Sequence, residues 1–249
     1  MTVAILVALI LGWTDAVDAP AAEEIAEAVL GAAGRESLDP VMVLAVIAQE
    51  SAFDADPCSR RVALDRVLSR APVDGHPDRE VLRWTCGSST RTERTCERTV
   101  WEVEERDGYL YIDTCPAGEV GLMQVLRSSR WASSGYEIPG TGGEVLSRSV
   151  SERRAQFLRP EVNVALGCRE LAEHREAAGR TAEDPWWKWV GSYNTGTHRG
   201  EGAKRYARTI LGRYGELCDL PVPGEAGDLQ LGVIWPGCAD AAAALEDLH

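Results

Sequence analysis

One carboxyl group stands where its surroundings could prepare it for acid–base chemistry. Glu50 closes an apolar run that begins at Val41 and covers roughly two to three helical turns. At the C-terminal end of a buried helix, the helix dipole and apolar neighbours both disfavour ionisation of a carboxyl group. A carboxyl that stays protonated near neutral pH can act as a general acid toward a leaving oxygen. The alternative is a solvated residue at the end of a core helix.

Two other stretches carry residue types that could surround such an acid. The first is a turn with glycines at Gly118 and Gly121 that runs into Leu122, Met123 and Gln124. A tight turn before a core element is the structural alternative. The second is rich in rings, which suit either a carbohydrate groove or a core; it contains Trp186, Trp187, Trp189, Tyr193 and Asn194.

The candidate site residues are predicted to lie on or beside helices whose first and last residues can be inferred from capping and helix-breaking residues. Asp39 followed by Pro40 predicts the start of the Glu50 helix, because Asp caps free amides and Pro suits the first helical position. A short amphipathic helix precedes it and stops at Gly34. Apolar spacing and turn residues predict five further helices: from Ser151 to before Pro160, from Pro160 past Leu171, from Pro185 to Asn194, from Gly200 to Arg213, and from Ala239 to Leu248.

Composition limits the class of protein. A chain of 249 residues, 45% of them hydrophobic, is long enough for one substantial core. The net charge of −13 and the absence of a basic run argue against nucleic-acid binding, which needs clustered Lys and Arg. Seven cysteines indicate disulfides and an oxidising compartment.

The N-terminus predicts export. Val3 to Leu11 has the length of a signal-peptide core and is too short to span a bilayer. Ala19-Pro20-Ala21 is a small-x-small cleavage pattern, so residues 1–21 would be removed and the protein would be periplasmic or secreted, without a transmembrane anchor. No Lys or Arg precedes the apolar run, and a first helix buried in the domain is the alternative.

Residues 60–114 differ in character and are predicted to be an insertion. Strand-like alternation before and after Arg106-Asp107-Gly108 predicts a β-hairpin from about Val100 to Asp113. Four cysteines lie in or beside this segment; Cys58 with Cys115 and Cys86 with Cys96 is one of their three pairings. Disulfides are favoured over zinc, because no close C-x-x-C pair or histidine cluster is present.

Four motifs in order resemble the soluble lytic transglycosylases, lysozyme-like enzymes that cleave peptidoglycan. The first is Glu50-Ser51-Ala52-Phe53, and the family's G-x-x-G-L-M-Q is matched from Gly118 to Gln124. The family's third motif is matched in part, and A-Y-N-A-G is matched loosely. The residues of the third motif are Asn163, Val164, Gly167 and Leu171, and those of the fourth are Ser192 to Gly196. Tyr206 lies where the family has a later Tyr.

The resemblance implies a mainly α, lysozyme-like domain over residues 22–217, interrupted by the insertion and followed by a tail at 218–249. It implies that Glu50 is the catalytic acid and base and that no metal or cofactor is required. It also implies a set of residues that bind the glycan: Ser51, Met123, Gln124, Tyr193, Asn194 and Tyr206. Glu119, from the same turn as Met123 and Gln124, is a further candidate for this set. Asn163 and Gly167 are expected to serve the fold.

The motifs supply one clear carboxylate, whereas ordinary glycosidases use two. A lytic transglycosylase needs only one, because the 6-hydroxyl of N-acetylmuramic acid attacks its own anomeric carbon and leaves a 1,6-anhydro end.

Glu119 keeps a second enzymatic hypothesis open. It stands where the family more often has a small apolar residue and could be a second carboxylate, as in a muramidase related to goose-type lysozymes. A solvated loop residue is the alternative. A third hypothesis is a peptidoglycan-binding or assembly module without turnover. The insertion could wall the glycan groove or bind a cell-envelope protein.

Overall fold

A computed structural model describes residues 1–55, 59–86, 94–100, 103–106, 108–113, 119–126, 135–197, 199–222 and 229–247. The chain divides into two compact units. The first joins Met1–Ala55 to Gly121–His249, and the second is Asp56–Val120. More of the described residues lie in helices than in strands, so the prediction of a mainly α protein with a small β element is confirmed at this level.

The helices lie in the first unit. They are α1 Val3–Trp13, α2 Ala19–Glu36, α3 Pro40–Glu50, α4 Val150–Leu158, α5 Pro160–Ala177, α6 Ser192–Thr195, α7 Glu201–Cys218, α8 Leu231–Ile234 and α9 Pro236–Asp247. α3 packs on α2 and α7, while α5 packs on α2. The tail contributes two short paired strands, β9 Pro221–Val222 and β10 Leu229–Gln230.

α3 is the central helix. Its start is as predicted: Asp39 Oδ1 accepts hydrogen bonds from the amides of Val41 at 2.8 Å and Met42 at 3.4 Å. Every residue from Val41 to Ile47 is fully buried. A helix that is apolar on all sides is stable only when neighbours surround it, so the core of the unit is built around α3.

The aromatic stretch after Pro185 does not form the single helix that was predicted. Trp186–Lys188 form a turn of 3₁₀ helix, and α6 begins only at Ser192. Between them, Gly191 lies so close to α7 that a β-carbon there would be 2.2 Å from the carbonyl oxygen of Ala203. The chain leaves helical geometry at Trp189, where φ is −133°, and Gly196 ends α6 in a left-handed conformation.

The second unit is built of antiparallel strands. They are β1 Ser59–Ala63, β2 Val67–Val73, β3 His76–Cys86, β4 Arg94–Val100, β5 Val103–Arg106 and β6 Tyr109–Asp113, in two sheets ordered β1-β6-β5 and β2-β3-β4. The predicted hairpin is confirmed as β5–β6, with Arg106 opposite Tyr109. Strands β1 to β4 were not predicted. A separate buried cluster contains Val62, Leu82, Trp84, Val100 and Leu110.

The N-terminal apolar segment forms α1, which packs on α2 and β9. Leu6, Leu9 and Ile10 are fully buried, and the guanidinium of Arg213 lies 5.4 Å from the ring centre of Trp13. Ala19-Pro20-Ala21 forms the first turn of α2, capped by Asp18. α1 therefore packs as a first helix buried in the domain, which is the alternative to a signal peptide. Removal of residues 1–21 stays a prediction. Within the described ranges, no helix has both the length and the apolar character to cross a bilayer.

The cysteines are partly described. Cys218 and Cys238 form a disulfide that ties the end of α7 to α9, and Cys96 is also disulfide-bonded. Cys168 is a free thiol, fully buried on α5, and burial raises its pKa. The predicted pairings involve the side chains of Cys58, Cys86 and Cys115, which lie outside the described part of the structure.

Candidate active site

The site is centred on a hydrogen bond between two helices. Tyr206 on α7 donates its hydroxyl to Oε1 of Glu50 at 2.5 Å. Glu50 is half-buried at the last position of α3, and Tyr206 is 8% exposed. The packing of α3 on α7 therefore brings together two predicted site residues that are 156 positions apart.

Tyr206 stays a neutral donor. Burial, followed by the charge of Glu50 and the hydrogen bond to it, raises the pKa of the Tyr206 phenol far above its usual value of 10. A neutral phenol can donate a hydrogen bond to the carboxyl group of Glu50 and so hold its orientation, which a group that transfers a proton requires.

Tyr193 is the second phenol of the site. Its hydroxyl donates to the main-chain oxygen of Met123 at 2.7 Å. Burial raises the pKa of Tyr193 well above its usual value, and the charges of Glu170 and then Glu50 raise it further. The electrostatic contribution of Glu50 indicates that Tyr193 lies in the same neighbourhood as the acid.

A tight turn at Gly121–Gln124 is locked onto α5. The Met123 amide donates to Oδ1 of Asn163 at 2.7 Å, and Asn163 is fully buried. Gly121 has φ of +79°, and a β-carbon there would be 2.2 Å from Nδ2 of Asn163. A β-carbon at Gly167 would be 2.4 Å from the sulfur of Met123. Asn163 and Gly167 therefore serve the fold, with Asn163 fixing the backbone of the turn.

Two of the predicted substrate-binding residues have structural roles. The Met123 side chain is fully buried against α5, and its predicted place along the glycan groove stays a prediction. Ser51 is 7% exposed and donates its hydroxyl to the carbonyl of Ile47, which orients the backbone at the end of α3.

The remaining predicted site residues differ in position. Gln124 is half-buried in a left-handed conformation, with φ of +51°, and donates Nε2 to the carbonyl of Gly121 at 2.8 Å. Asn194 is exposed on α6. Glu119 belongs to the two-residue strand β7 Glu119–Val120, which precedes the turn; β8 Val125–Leu126 follows it. The Glu119 side chain lies outside the described part, so its predicted role stays a prediction.

Sequence reasoning missed Glu170. On α5 the positions of Asn163, Gly167, Glu170 and His174 are spaced by four, three and four residues, which places them on one helix face. Asn163 and Gly167 on that face contact Met123, and the rings of His174 and Tyr193 are 6.3 Å apart in an edge-on arrangement. This spacing was the available signal, because it puts a carboxylate on the face that carries the turn.

Together Glu50, Tyr206 and Tyr193 form a centre of one carboxyl group and two neutral phenols, capable of donating and accepting a proton, and Glu170 is a further carboxylate whose charge acts on Tyr193. Comparison of the chain with protein-family models, with curated proteins and with solved structures found no match. Within the described ranges, no three His, Cys, Asp or Glu side chains are grouped so that they could hold a metal ion.

Proposed function

We propose that the protein is a lytic transglycosylase with a lysozyme-like helical domain that cleaves peptidoglycan, with Glu50 as the acid and base. The hydrogen bond from Tyr206 to Glu50 is the observation that supports this most directly. The stretches that carry the resemblance also meet in one unit, since Tyr193 and Asn163 both hold the backbone of Met123. Peptidoglycan glycan strands are the proposed substrate.

The proposed reaction uses one carboxyl group twice. Protonated Glu50 gives its proton to the β-1,4 glycosidic oxygen between N-acetylmuramic acid and N-acetylglucosamine, and the bond from that oxygen to C1 of the muramic residue breaks. The 6-hydroxyl of the same residue then forms a bond to C1 while carboxylate Glu50 takes the hydroxyl proton. The products are a 1,6-anhydromuramic end and a new N-acetylglucosamine 4-hydroxyl. The attack is intramolecular, so positioning replaces an activated water.

Mass spectrometry of peptidoglycan digested by the purified protein tests the proposal. The expected products carry anhydro ends, and Glu50→Gln should lower turnover by about 10²–10⁴-fold because the acid is lost. Glu23→Gln is the matched control, since Glu23 is an exposed glutamate on α2. Digestion by the Glu50 variant at the wild-type rate would show that another group is the acid. Absence of any turnover in the wild type would favour a binding or assembly module.

Hydrolysis is the second candidate, and Glu170 is the observation that favours it. Glu170 shares a face of α5 with His174, whose ring meets that of Tyr193, and a carboxylate there could act on a water where ordinary glycosidases use their second carboxylate. If the protein is a muramidase, the products carry reducing ends with one added water. Glu170→Gln would then abolish those ends, whereas Glu119→Gln tests the carboxylate suggested by sequence.

Export to the periplasm or the medium is part of the proposal. The Cys218–Cys238 disulfide supports it, because disulfides persist in oxidising compartments. Fractionation of cells and sequencing of the mature N-terminus test both the compartment and the cleavage after Ala21.

A further inference from the structure

A cationic pocket lies on the first unit and contains none of the residues of the Glu50 site. It has a volume of about 260 Å³ and is lined by Arg180, Trp187, Lys188, Gly191, Ala203, Lys204 and Ala207. This volume is below the roughly 300–1,000 Å³ usual for drug-sized ligands, and so suits a single sugar unit.

Small residues create the space. Gly191 lies against the backbone of α7 at Ala203, and Ala203 and Ala207 are each 4% exposed. Tyr206, the partner of Glu50, stands between these two alanines in the sequence of α7. The pocket is therefore formed against α7, the helix that carries the hydrogen-bond partner of Glu50.

Three cationic side chains converge on the pocket in a chain whose net charge is −13. Arg180 also pairs with Asp184 at 3.2 Å, and Lys204 with Glu201 at 3.1 Å. Lys188 is exposed and makes no ion pair with any residue of the described ranges. With two of the three cations paired, Lys188 leaves the pocket with one positive charge in excess, which favours an anionic over a neutral ligand.

Trp187 adds an aromatic surface to the same pocket. It is half-buried, and its ring meets that of Trp186 edge-on at 5.6 Å. Indole rings present a large apolar area with one polar edge, which complements the apolar face of a sugar ring. The pocket thus combines a ring-binding surface with cations that can pair with a carboxylate.

We propose that this pocket is a second saccharide subsite that takes a carboxylate-bearing sugar of the muramic acid type. The sugar would lie on Trp187, and its carboxylate would pair with Lys188 and Lys204. The choice of sugar rests on the proposed function, whereas the preference for an anionic over a neutral sugar follows from the pocket itself.

The test uses full-length Glu50→Gln protein, so that binding is measured without turnover. N-acetylmuramic acid and N-acetylglucosamine are titrated separately while the indole N–H resonance of Trp187 is followed by NMR; Trp187→Phe assigns that resonance. These sugars differ by the lactyl carboxylate. The expected result is a Trp187 shift with at least tenfold tighter binding of N-acetylmuramic acid. Lactate, a carboxylate without a ring, should bind at least tenfold more weakly than N-acetylmuramic acid, as followed by the Trp187 resonance.

Variants separate the contributions. Lys188→Ala with Lys204→Ala should reduce binding of N-acetylmuramic acid at least tenfold, whereas Arg148→Ala, a control at an exposed arginine elsewhere, should leave it unchanged. Equal binding of both sugars, equal binding of lactate, or no shift at Trp187 would each overturn the proposal. Because Glu50→Gln removes turnover in every arm, failure of the subsite and failure of the proposed reaction are distinguishable.

Discussion

The hydrogen bond between Tyr206 and Glu50 ties one oxygen of the acid to α7. It fixes the direction of the carboxyl group. A hydrogen bond to a charged group contributes about 1.5–3 kcal/mol, which is large on the scale of a catalytic effect.

Tyr206→Phe should therefore lower kcat by about 10- to 100-fold while the fold is kept, because the ring remains and only the hydroxyl is lost. The measurement is the initial rate of peptidoglycan digestion, with circular dichroism and Tm as controls for folding. An unchanged kcat in a folded variant would show that the hydrogen bond does not serve the acid.

Two features require glycine at position 121: a positive φ, and close contact with the side chain of Asn163. Gly121→Ala should destabilise the protein by more than the roughly 1–3 kcal/mol cost of a strained backbone, because the new methyl group would displace Asn163 and break its bond to Met123. Urea unfolding measures the loss.

Gly142→Ala is the matched control for that change. Gly142 has φ of +73° and no atom within 4 Å of the added carbon, so it reports backbone strain alone. If both substitutions cost the same free energy of unfolding, contact with Asn163 is not what requires glycine at Gly121.

At the scale of elements, the start of α3 is held by a buried polar cluster. Asp39 Oδ2 accepts hydrogen bonds from Tyr214 at 2.8 Å and from Trp235 at 3.4 Å, while Trp235 also donates to the Tyr214 hydroxyl at 3.0 Å. Burial raises the pKa of Asp39 above its ordinary 3.8 and outweighs these hydrogen bonds, which lower it. The N-cap of α3 is thus also the contact between α3, α7 and the tail.

This cluster predicts a pH dependence of stability. A raised folded pKa means that the contribution of Asp39 is fully present below 3.8 and is lost as the pH rises through the folded pKa. The Asp39→Asn variant cannot ionise at this position, so it serves as the reference. The free energy of unfolding of the wild type, minus that of the variant, should fall as the pH rises from below 3.8 to neutrality. Urea unfolding across this range measures the difference; an increase with pH would mean that the hydrogen bonds outweigh burial.

Sequence predicted the helices whose ends depend on local chemistry. Asp39-Pro40 and Pro160 mark their helix starts because capping and proline geometry act within a few residues. The β2–β3 hairpin was missed although Asp74-Gly75 is a strong hairpin signal, since Pro72 and Pro77 beside it are typical of loops. The break before α6 falls at Trp189, in a stretch that packs on α7, and no local pattern contains that packing.

The candidate site likewise contains residues that local sequence predicts and residues whose position depends on packing. Glu50 could be singled out because the buried helix that presents it is visible in the sequence. The burial of Met123 and the position of Glu170 depend on how α5 packs against the turn, so sequence spacing alone did not reveal them.

At the scale of the whole molecule, the Cys218–Cys238 disulfide joins the last long helix to the tail. Its cysteines are 20 residues apart, and closing a loop of this length stabilises a fold by about 3 kcal/mol. The tail in turn touches the start of α3, because a β-carbon at Gly237 would be 3.1 Å from Oδ2 of Asp39.

Replacing both cysteines, as Cys218→Ser with Cys238→Ser, should lower the free energy of unfolding by about 3 kcal/mol, with loss of protection in α8 and α9 first. Urea unfolding gives the magnitude and hydrogen exchange gives the location. The Cys168→Ser variant serves as a control that leaves the disulfide intact. Equal stability of the double variant and the wild type would mean that packing alone holds the tail.

The long sequence separation between Glu50 and Tyr206 also has a consequence for synthesis. A chain made from its N-terminus completes α3 while α7 is still absent, and contacts between distant segments form late in folding. A nascent chain or a fragment ending before residue 201 therefore carries Glu50 without its phenol partner. Under the proposed mechanism, such a chain would be inactive until α7 is made, near the end of translation.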